Sequence, residues 1–117
     1  IRQGQPVISQ LSSETKNKIL NSLAEKILSS ESEILAANKV DLQSLPAETT
    51  SAFRDRLTLN SQRLAGMAES LRQVAQLGDP VNEIVEERHL PNGLKIKRVR
   101  SPLGLIFMIF ESRPNVI

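Results

Sequence analysis

An unbroken apolar segment near the end of the chain, residues 103–110 with the sequence LGLIFMIF, limits the possible folds more than any other feature. It is apolar on both faces, as is typical of a strand covered on both sides in a parallel sheet. It is far shorter than the roughly 20 residues that a membrane-spanning helix needs. The segment therefore predicts an α/β fold in which it is a buried parallel strand. Without neighbours such a strand is an edge open to pairing, so we expect this chain alone to fold poorly and to self-associate.

Residues 1–80 are predicted to be the helical part of the chain. The first predicted helix begins at Ser12 or Ser13, and the last begins at Asn60 or Ser61, where a polar side chain is suited to cap the free N–H groups. Two shorter helices are predicted between them, from Ser30 towards residue 40 and over residues 52–57. The apolar stripes of the first and last helices consist of Ile19, Leu20, Leu23, Ala24, Ile27 and Leu28, and of Leu64, Met67, Ala68, Leu71, Val74 and Ala75.

A β-hairpin is predicted over residues 81–101. The tripeptide Pro91-Asn92-Gly93 separates two strand-like runs, residues 84–90 and 94–100, and Asn-Gly in that position is a strong hairpin signal. Leu94 and Ile96 alternate with lysines, which predicts one buried and one solvated face. The alternation breaks at residues 98–99, where we expect a bulge. Residues 102–117 then form the buried strand and the loop that follows it.

The composition excludes several classes of function. The chain has no cysteine, so it has neither disulfides nor a cysteine nucleophile of its own. The net charge of +2 and three aromatic residues, all Phe, argue against nucleic acid or anionic lipid as a partner. No secretory signal pattern is present, which favours a cytoplasmic location. The chain begins without Met and stops just after the apolar segment, so we interpret it as a fragment.

Four polar residues, Glu111, Ser112, Arg113 and Asn115, follow the apolar segment directly. Open α/β sheets bind their ligands at the carboxyl ends of the strands, so these residues are candidates for a binding site. The alternative is a charged turn that merely closes the strand, with Pro114 setting the bend. Position alone leaves the two interpretations about equally probable.

The remaining charged residues have simpler interpretations. His89 is the only histidine and has no cysteine or second histidine with which to share a metal. Asp55 and Arg56 are candidates for a local ion pair on a short helix. A basic strand runs towards the apolar segment, and a solvated hairpin face is favoured over phosphate binding for its members Lys95, Lys97, Arg98 and Arg100.

Residues 102–116, PLGLIFMIFESRPNV, closely resemble a segment of gamma-glutamyl phosphate reductases that reads P-x-G-V-I-x-x-I-(Y/F)-E-(A/S)-R-P-N-V. Other landmarks of that family occur in the same order along nearly the whole chain. Two departures are visible: Asn82 stands where the family commonly has Gly, and the stretch between Asp41 and Asp55 is short. The landmarks are Lys16-Asn17, Ala37-Asn38-x-x-Asp41, Asp55-Arg56-Leu57-x-Leu59, Arg72-Gln73-Val74, Asp79-Pro80-Val81 and Asn92-Gly93-Leu94 with Ile96.

This resemblance implies the architecture of the aldehyde dehydrogenase superfamily, with a nucleotide-binding α/β domain, a catalytic domain that carries the cysteine, and a β-extension used in oligomerisation. Residues 1–117 would be part of the N-terminal nucleotide-binding domain, and the catalytic domain would be absent. The implied activity is the NADPH-dependent reduction of gamma-glutamyl phosphate to glutamate 5-semialdehyde and phosphate in proline biosynthesis. The implied partners are glutamate 5-kinase and further copies of the same chain.

The resemblance also implies roles for the residues after the strand. In an ungapped alignment with the aldehyde dehydrogenases, Arg113 falls where their oxyanion-stabilising Asn lies, so Arg113 and Asn115 would bind the substrate. Ile109, Glu111 and Ser112 would lie beside the NADPH cofactor. The fork of a guanidinium group suits an acyl phosphate and a carboxylate, which are both anions.

Two alternatives remain. Another member of the aldehyde dehydrogenase superfamily is disfavoured because common members read proline-tryptophan-asparagine after the strand. A helical interaction module without enzymatic activity would leave residues 103–110 unexplained.

Overall fold

The computed structural model describes residues 5–104 and 106–109, with side chains from residue 7 onwards. It confirms an α/β chain of helices followed by an antiparallel hairpin. The elements in chain order are α1 (Gln5–Ser9), α2 (Ser13–Ser29), α3 (Glu31–Gln43), α4 (Ser51–Leu57), α5 (Ser61–Ala75), β1 (Ile84–His89) and β2 (Lys95–Val99).

The four predicted helices are confirmed as α2 to α5. The side chain of Asn60 caps α5 by accepting a hydrogen bond from the backbone N–H of Arg63 at 2.8 Å. Thr50 caps α4 in the same way, accepting from the N–H of Phe53 at 3.3 Å. Helix α1 was not predicted, because five residues are too few to show a periodic stripe.

The chain divides into two compact units. The first, called here the helical unit, includes residues 14–77 and the described residues 108–109. Its buried apolar residues are Ala24 from α2 and Leu64, Ala68 and Ala75 from α5. The predicted stripes are wider than the buried core, since Ile19, Leu23 and Val74 stay 44–52% exposed.

The second unit, called here the hairpin unit, includes the described residues 5–13, 78–104 and 106–107. Strands β1 and β2 pair antiparallel, and the register shifts between Ile84 and Glu86. Val85 is therefore an extra residue opposite the Arg98–Val99 step. The irregularity lies where the sequence predicted a bulge, although the extra residue is on β1.

The turn of the hairpin follows the chemistry of its sequence. The N–H of Gly93 donates to the carbonyl of Leu90 at 2.9 Å, and the N–H of Leu90 donates to the carbonyl of Leu94 at 2.9 Å. Gly93 has φ of 85°, in the left-handed region that favours glycine. This is a three-residue loop in which a β-turn leads into a left-handed residue.

The expectation of a buried hairpin face was wrong for this chain. Leu94 is 54% exposed and Ile96 46% exposed, and no residue of either strand is buried. A hairpin face becomes buried only when another layer packs on it. In the hairpin unit, the described residues provide no such layer.

Residues 103–110 were predicted to be a buried strand between parallel neighbours from outside this chain, and that stays a prediction. Residues 103–104 and 106–109 form no strand, and Leu103, Phe107 and Ile109 are 84–90% exposed. A strand requires a neighbour to receive its backbone hydrogen bonds, and β1 and β2 are the only strands among the described residues. The apolar side chains of this segment favour apolar surroundings, and the described residues of this chain do not provide them.

Candidate functional site

The predicted binding residues lie at the edge of what the structure describes. Glu111, Ser112, Arg113 and Asn115 are outside the described residues, so their roles stay predictions. Ile109 is described, and it lies in an irregular segment with 84% of its side chain exposed. The described residues therefore show the structure that precedes this site and the contacts of the landmark residues shared with gamma-glutamyl phosphate reductases.

Asn82, one of the two departures from the family pattern, occupies the backbone conformation that a glycine would favour. Its φ is 68°, and it is the only non-glycine residue with positive φ in the described part of the chain. Asparagine tolerates this left-handed conformation better than other residues with a Cβ atom. An asparagine at this position therefore suits the left-handed conformation that the turn adopts in this chain.

The turn at residues 79–83 sets the start of the hairpin. The carboxylate of Asp79 accepts from the N–H of Val81 at 3.1 Å and from the hydroxyl of Ser13 at 3.0 Å. The N–H of Glu83 donates to the carbonyl of Pro80 at 3.2 Å. Asn82 then donates its N–H to the carbonyl of Arg100 at 3.0 Å, which closes the open end of the hairpin. The landmark Asp79-Pro80-Val81 is accordingly a structural element that fixes where β1 begins.

Asn38 is the one buried polar residue among those described, with 6% of its surface exposed. Its side-chain Nδ2 donates to the carbonyl of Leu57 at 2.9 Å, and its Oδ1 accepts from the N–H of Leu59 at 2.8 Å. The carboxamide thus satisfies a backbone acceptor and a backbone donor of the segment between α4 and α5. Two of the family landmarks, Ala37-Asn38 and Asp55-Arg56-Leu57-x-Leu59, are joined through this residue.

Arg63 of α5 holds the end of α4, a role that the sequence did not reveal. Its guanidinium group donates to the backbone carbonyls of Asp55 and Thr58 and to Asp55 Oδ1, the last at 2.8 Å. The predicted pair of Asp55 with Arg56 was wrong, because Arg56 donates to the carbonyl of Ala52 one turn earlier. Eight residues separate Asp55 from Arg63, so no helical spacing pointed to the pair.

Three of the four basic residues in and directly after β2 contact carboxylates of β1 and of the preceding turn. Lys97 lies 3.4 Å from Glu87, Arg98 lies 3.7 Å from Glu86, and Arg100 lies 3.0 Å from Glu83. Their positive charge is therefore largely neutralised within the hairpin. This pairing agrees with the favoured interpretation of a solvated face and weakens the case for a phosphate site.

Glu87 is the residue whose ionisation the hairpin affects most clearly. A hydrogen bond with the His89 side chain, whose Nε2 lies 2.9 Å from Glu87 Oε1, and the nearby charge of Lys97 lower the pKa of Glu87 from its ordinary value. No three histidine, cysteine or acidic side chains lie together as a metal site among the residues described. Within the same part of the chain, no helix has the length and apolar character to cross a membrane.

Comparison with known proteins shows what this chain is similar to. No family model matches it. It is 53% identical over 108 residues to the gamma-glutamyl phosphate reductase of Allorhizobium ampelinum, covering 90% of this chain and 25% of that protein. It is 49% identical over 115 residues to the gamma-glutamyl phosphate reductase of Koribacter versatilis, covering 98% of this chain and 28% of that protein.

A solved structure gives the same result for the fold. The crystal structure of gamma-glutamyl phosphate reductase from Thermotoga maritima matches with a TM-score of 0.81 and 33% identity, over 86% of this chain and 25% of that one. The chain spans about a quarter of the length of the relatives it matches. Identity near 50% over almost the whole chain, together with the shared fold, leads to one conclusion: nearly all of this chain is similar to a segment that makes up about a quarter of the length of gamma-glutamyl phosphate reductases.

Proposed function

We propose that this chain is the N-terminal part of the nucleotide-binding domain of an enzyme that reduces gamma-glutamyl phosphate to glutamate 5-semialdehyde and phosphate in proline biosynthesis. The observation that carries the proposal is the 53% identity with a gamma-glutamyl phosphate reductase over 90% of the chain. The proposed enzyme uses NADPH. The segment is inactive alone, because it contains no cysteine to act as the nucleophile.

The proposed reaction balances as acyl phosphate, NADPH and a proton giving aldehyde, phosphate and NADP⁺. A cysteine thiolate from outside this segment attacks the acyl carbon, and phosphate leaves with the electrons of the broken C–O bond. Bound NADPH would supply a hydride for the resulting thioester, whose reduction releases the thiolate and the aldehyde. Each attack places negative charge on the carbonyl oxygen, so the site needs donors aimed at that atom.

The residues after the apolar segment are proposed to supply part of that site. Arg113 and Asn115 would contact the substrate, since a guanidinium fork matches phosphate and carboxylate oxygens. Glu111 and Ser112 would lie beside the cofactor with Ile109.

The proposed setting is the cytoplasm, with a small-molecule substrate. Assembly into a homo-oligomer and delivery of the unstable acyl phosphate by a glutamate 5-kinase are part of the same proposal. Both follow from the family resemblance stated above.

The proposal is tested with the full-length protein that contains this segment. Gamma-glutamyl phosphate is generated in the assay by a glutamate 5-kinase, ATP and glutamate, and NADPH consumption is followed by absorbance. We expect consumption that requires the acyl phosphate and that disappears when the nucleophilic cysteine of the full-length protein is replaced by Ala. Turnover by the 117-residue chain alone, or none by the full-length protein, contradicts the proposal.

The role of Arg113 is tested by Arg113→Lys in the full-length protein. A lysine is a point charge that does not reproduce a bidentate contact, so we expect a loss in kcat/KM of about tenfold or more. Arg100→Lys is the matched control, because Arg100 pairs with Glu83 on the exposed hairpin. If Arg113→Lys matches the parent within a factor of about two, roughly 0.4 kcal/mol in activation free energy, the assignment is wrong.

A further inference from the structure

The tip of the hairpin contains a reactive dipeptide that the proposed function does not use. Asn92 and Gly93 are both exposed, and they lie between β1 and β2. An asparagine followed by glycine deamidates more readily than one followed by any other residue, because glycine has no side chain to hinder attack on the carboxamide. The other asparagines with described surroundings are followed by Lys, Ser or Glu.

The reaction of such a pair requires only water. The backbone nitrogen of Gly93 loses its proton and attacks Cγ of Asn92, so that a new N–C bond forms while the carboxamide C–N bond breaks and ammonia leaves. Water then adds to either carbonyl of the cyclic imide. The products are aspartate or isoaspartate at position 92, and no oxidant or reductant takes part.

The geometry of the turn engages both reacting groups. The N–H of Gly93, which must be deprotonated, donates to the carbonyl of Leu90 at 2.9 Å. The Asn92 Oδ1 atom accepts from the N–H of Leu94 at 3.1 Å, which holds the carboxamide in place. That second hydrogen bond also makes Cγ more electrophilic. However, attack still begins with loss of the Gly93 proton, and the turn opposes that loss.

We propose that Asn92 is a deamidation site whose reactivity is controlled by the order of the hairpin turn. While the turn is closed, the Gly93 nitrogen is held by Leu90 and the reaction is slow. When the turn opens, the nitrogen is free and the reaction proceeds at the rate of an unstructured Asn-Gly pair. Isoaspartate at position 92 adds one carbon to the backbone of the turn, so it opposes reclosure.

The experiment compares the chain in buffer with the chain in concentrated guanidinium chloride at one mildly alkaline pH and temperature. Peptide mass spectrometry follows the conversion of Asn92, and hydrogen exchange of the Gly93 amide is measured in the same buffer sample. We expect deamidation to be slower in buffer by roughly tenfold or more, together with protection of Gly93. Equal or faster deamidation in buffer overturns the proposal, and so does an unprotected Gly93 amide.

A second variant keeps the reactive pair and loosens the turn. Pro91→Gly gives the open state more conformational freedom, so it should weaken the closed turn. We expect faster deamidation than in the parent chain in buffer and a similar rate in denaturant. If Gly93 loses protection in this variant while the rate in buffer stays at the parent value, the turn does not control the reaction.

Discussion

The helical unit and the hairpin unit obtain their order in different ways. The helical unit buries Ala24, Leu64 and Ala68 almost completely, and it satisfies the one buried polar side chain, Asn38, with two hydrogen bonds. No described residue of the hairpin unit is buried. Its order comes from backbone pairing, from two turns with positive φ, and from ion pairs between exposed side chains.

This difference indicates which contacts dominate the stability of each unit. Burial of a large apolar side chain contributes a few kcal/mol, whereas an exposed ion pair contributes about 1 kcal/mol or less. A hairpin of two strands without a packed face is marginal in water. We therefore expect substitutions in the helical core to have larger effects than substitutions in the hairpin.

The largest effect is expected for Leu64→Ala. Leu64 is 1% exposed and is the largest fully buried side chain among those described, so truncation should lower the free energy of unfolding of the helical unit by about 3 kcal/mol. Val74→Ala on the same helix is the control, because Val74 is 50% exposed. Urea unfolding followed by helical circular dichroism measures both. Equal losses for the two variants would mean that α5 has no preferred buried face.

A somewhat smaller loss is expected for Asn38→Ala. The substitution leaves the carbonyl of Leu57 and the N–H of Leu59 without their partner in a partly buried place, at a cost of about 2 kcal/mol. Asn21→Ala is the matched control, since Asn21 is exposed and donates only to a carbonyl of its own helix. A loss no greater than that of the control would show that the landmark has no structural role.

In the hairpin unit, the backbone at Asn82 provides the next test. Asn82→Val places a β-branched residue at φ of 68°, which costs about 1–2 kcal/mol, whereas Asn82→Gly should stay within about 0.5 kcal/mol of the parent. Hydrogen exchange of the Arg100 amide, which donates to Glu83 beside the turn, reports the local stability. Similar protection in both variants would argue against a strained turn.

The smallest effect is expected from the ionisation of Glu87. Its pKa lies below the ordinary value of 4.5, so the charged form stabilises the hairpin above that pH, and the contribution is lost as the pH falls through the lowered pKa. Hydrogen exchange of β1 and β2 amides below pH 4.5 should therefore show less acid sensitivity in Glu87→Gln than in the parent. Added salt should reduce the difference, because the pair with Lys97 is exposed. Identical acid sensitivity in the two proteins would contradict the assigned ion pairs.

The elements that sequence predicted correctly have local causes. Asn60 caps α5 through its own side chain, and the Asn92-Gly93 turn closes through contacts within five residues. One prediction that was wrong, the buried hairpin face, and one that stays a prediction, the parallel strand, both needed information from distant residues. A buried face for Leu94 and Ile96, and a strand over residues 103–110, both presuppose surfaces that this chain does not supply among its described residues. The site residues predicted after that segment, Glu111, Ser112, Arg113 and Asn115, lie outside the described residues, so their roles stay predictions.

The sequence by itself determined the order of helices and hairpin, the resemblance to gamma-glutamyl phosphate reductases, and the lack of a cysteine in this chain. Periodicity, caps, turn residues and composition can all be read from short stretches of sequence. The tertiary structure alone decided that Asn38 bridges α3 to the segment before α5, that Asp55 pairs with Arg63 rather than Arg56, and that Asn82 takes a left-handed conformation. Each of these depends on where the folded backbone places a donor, an acceptor or a turn. Residues far apart in sequence meet only after the helices have packed, and no local pattern encodes that meeting.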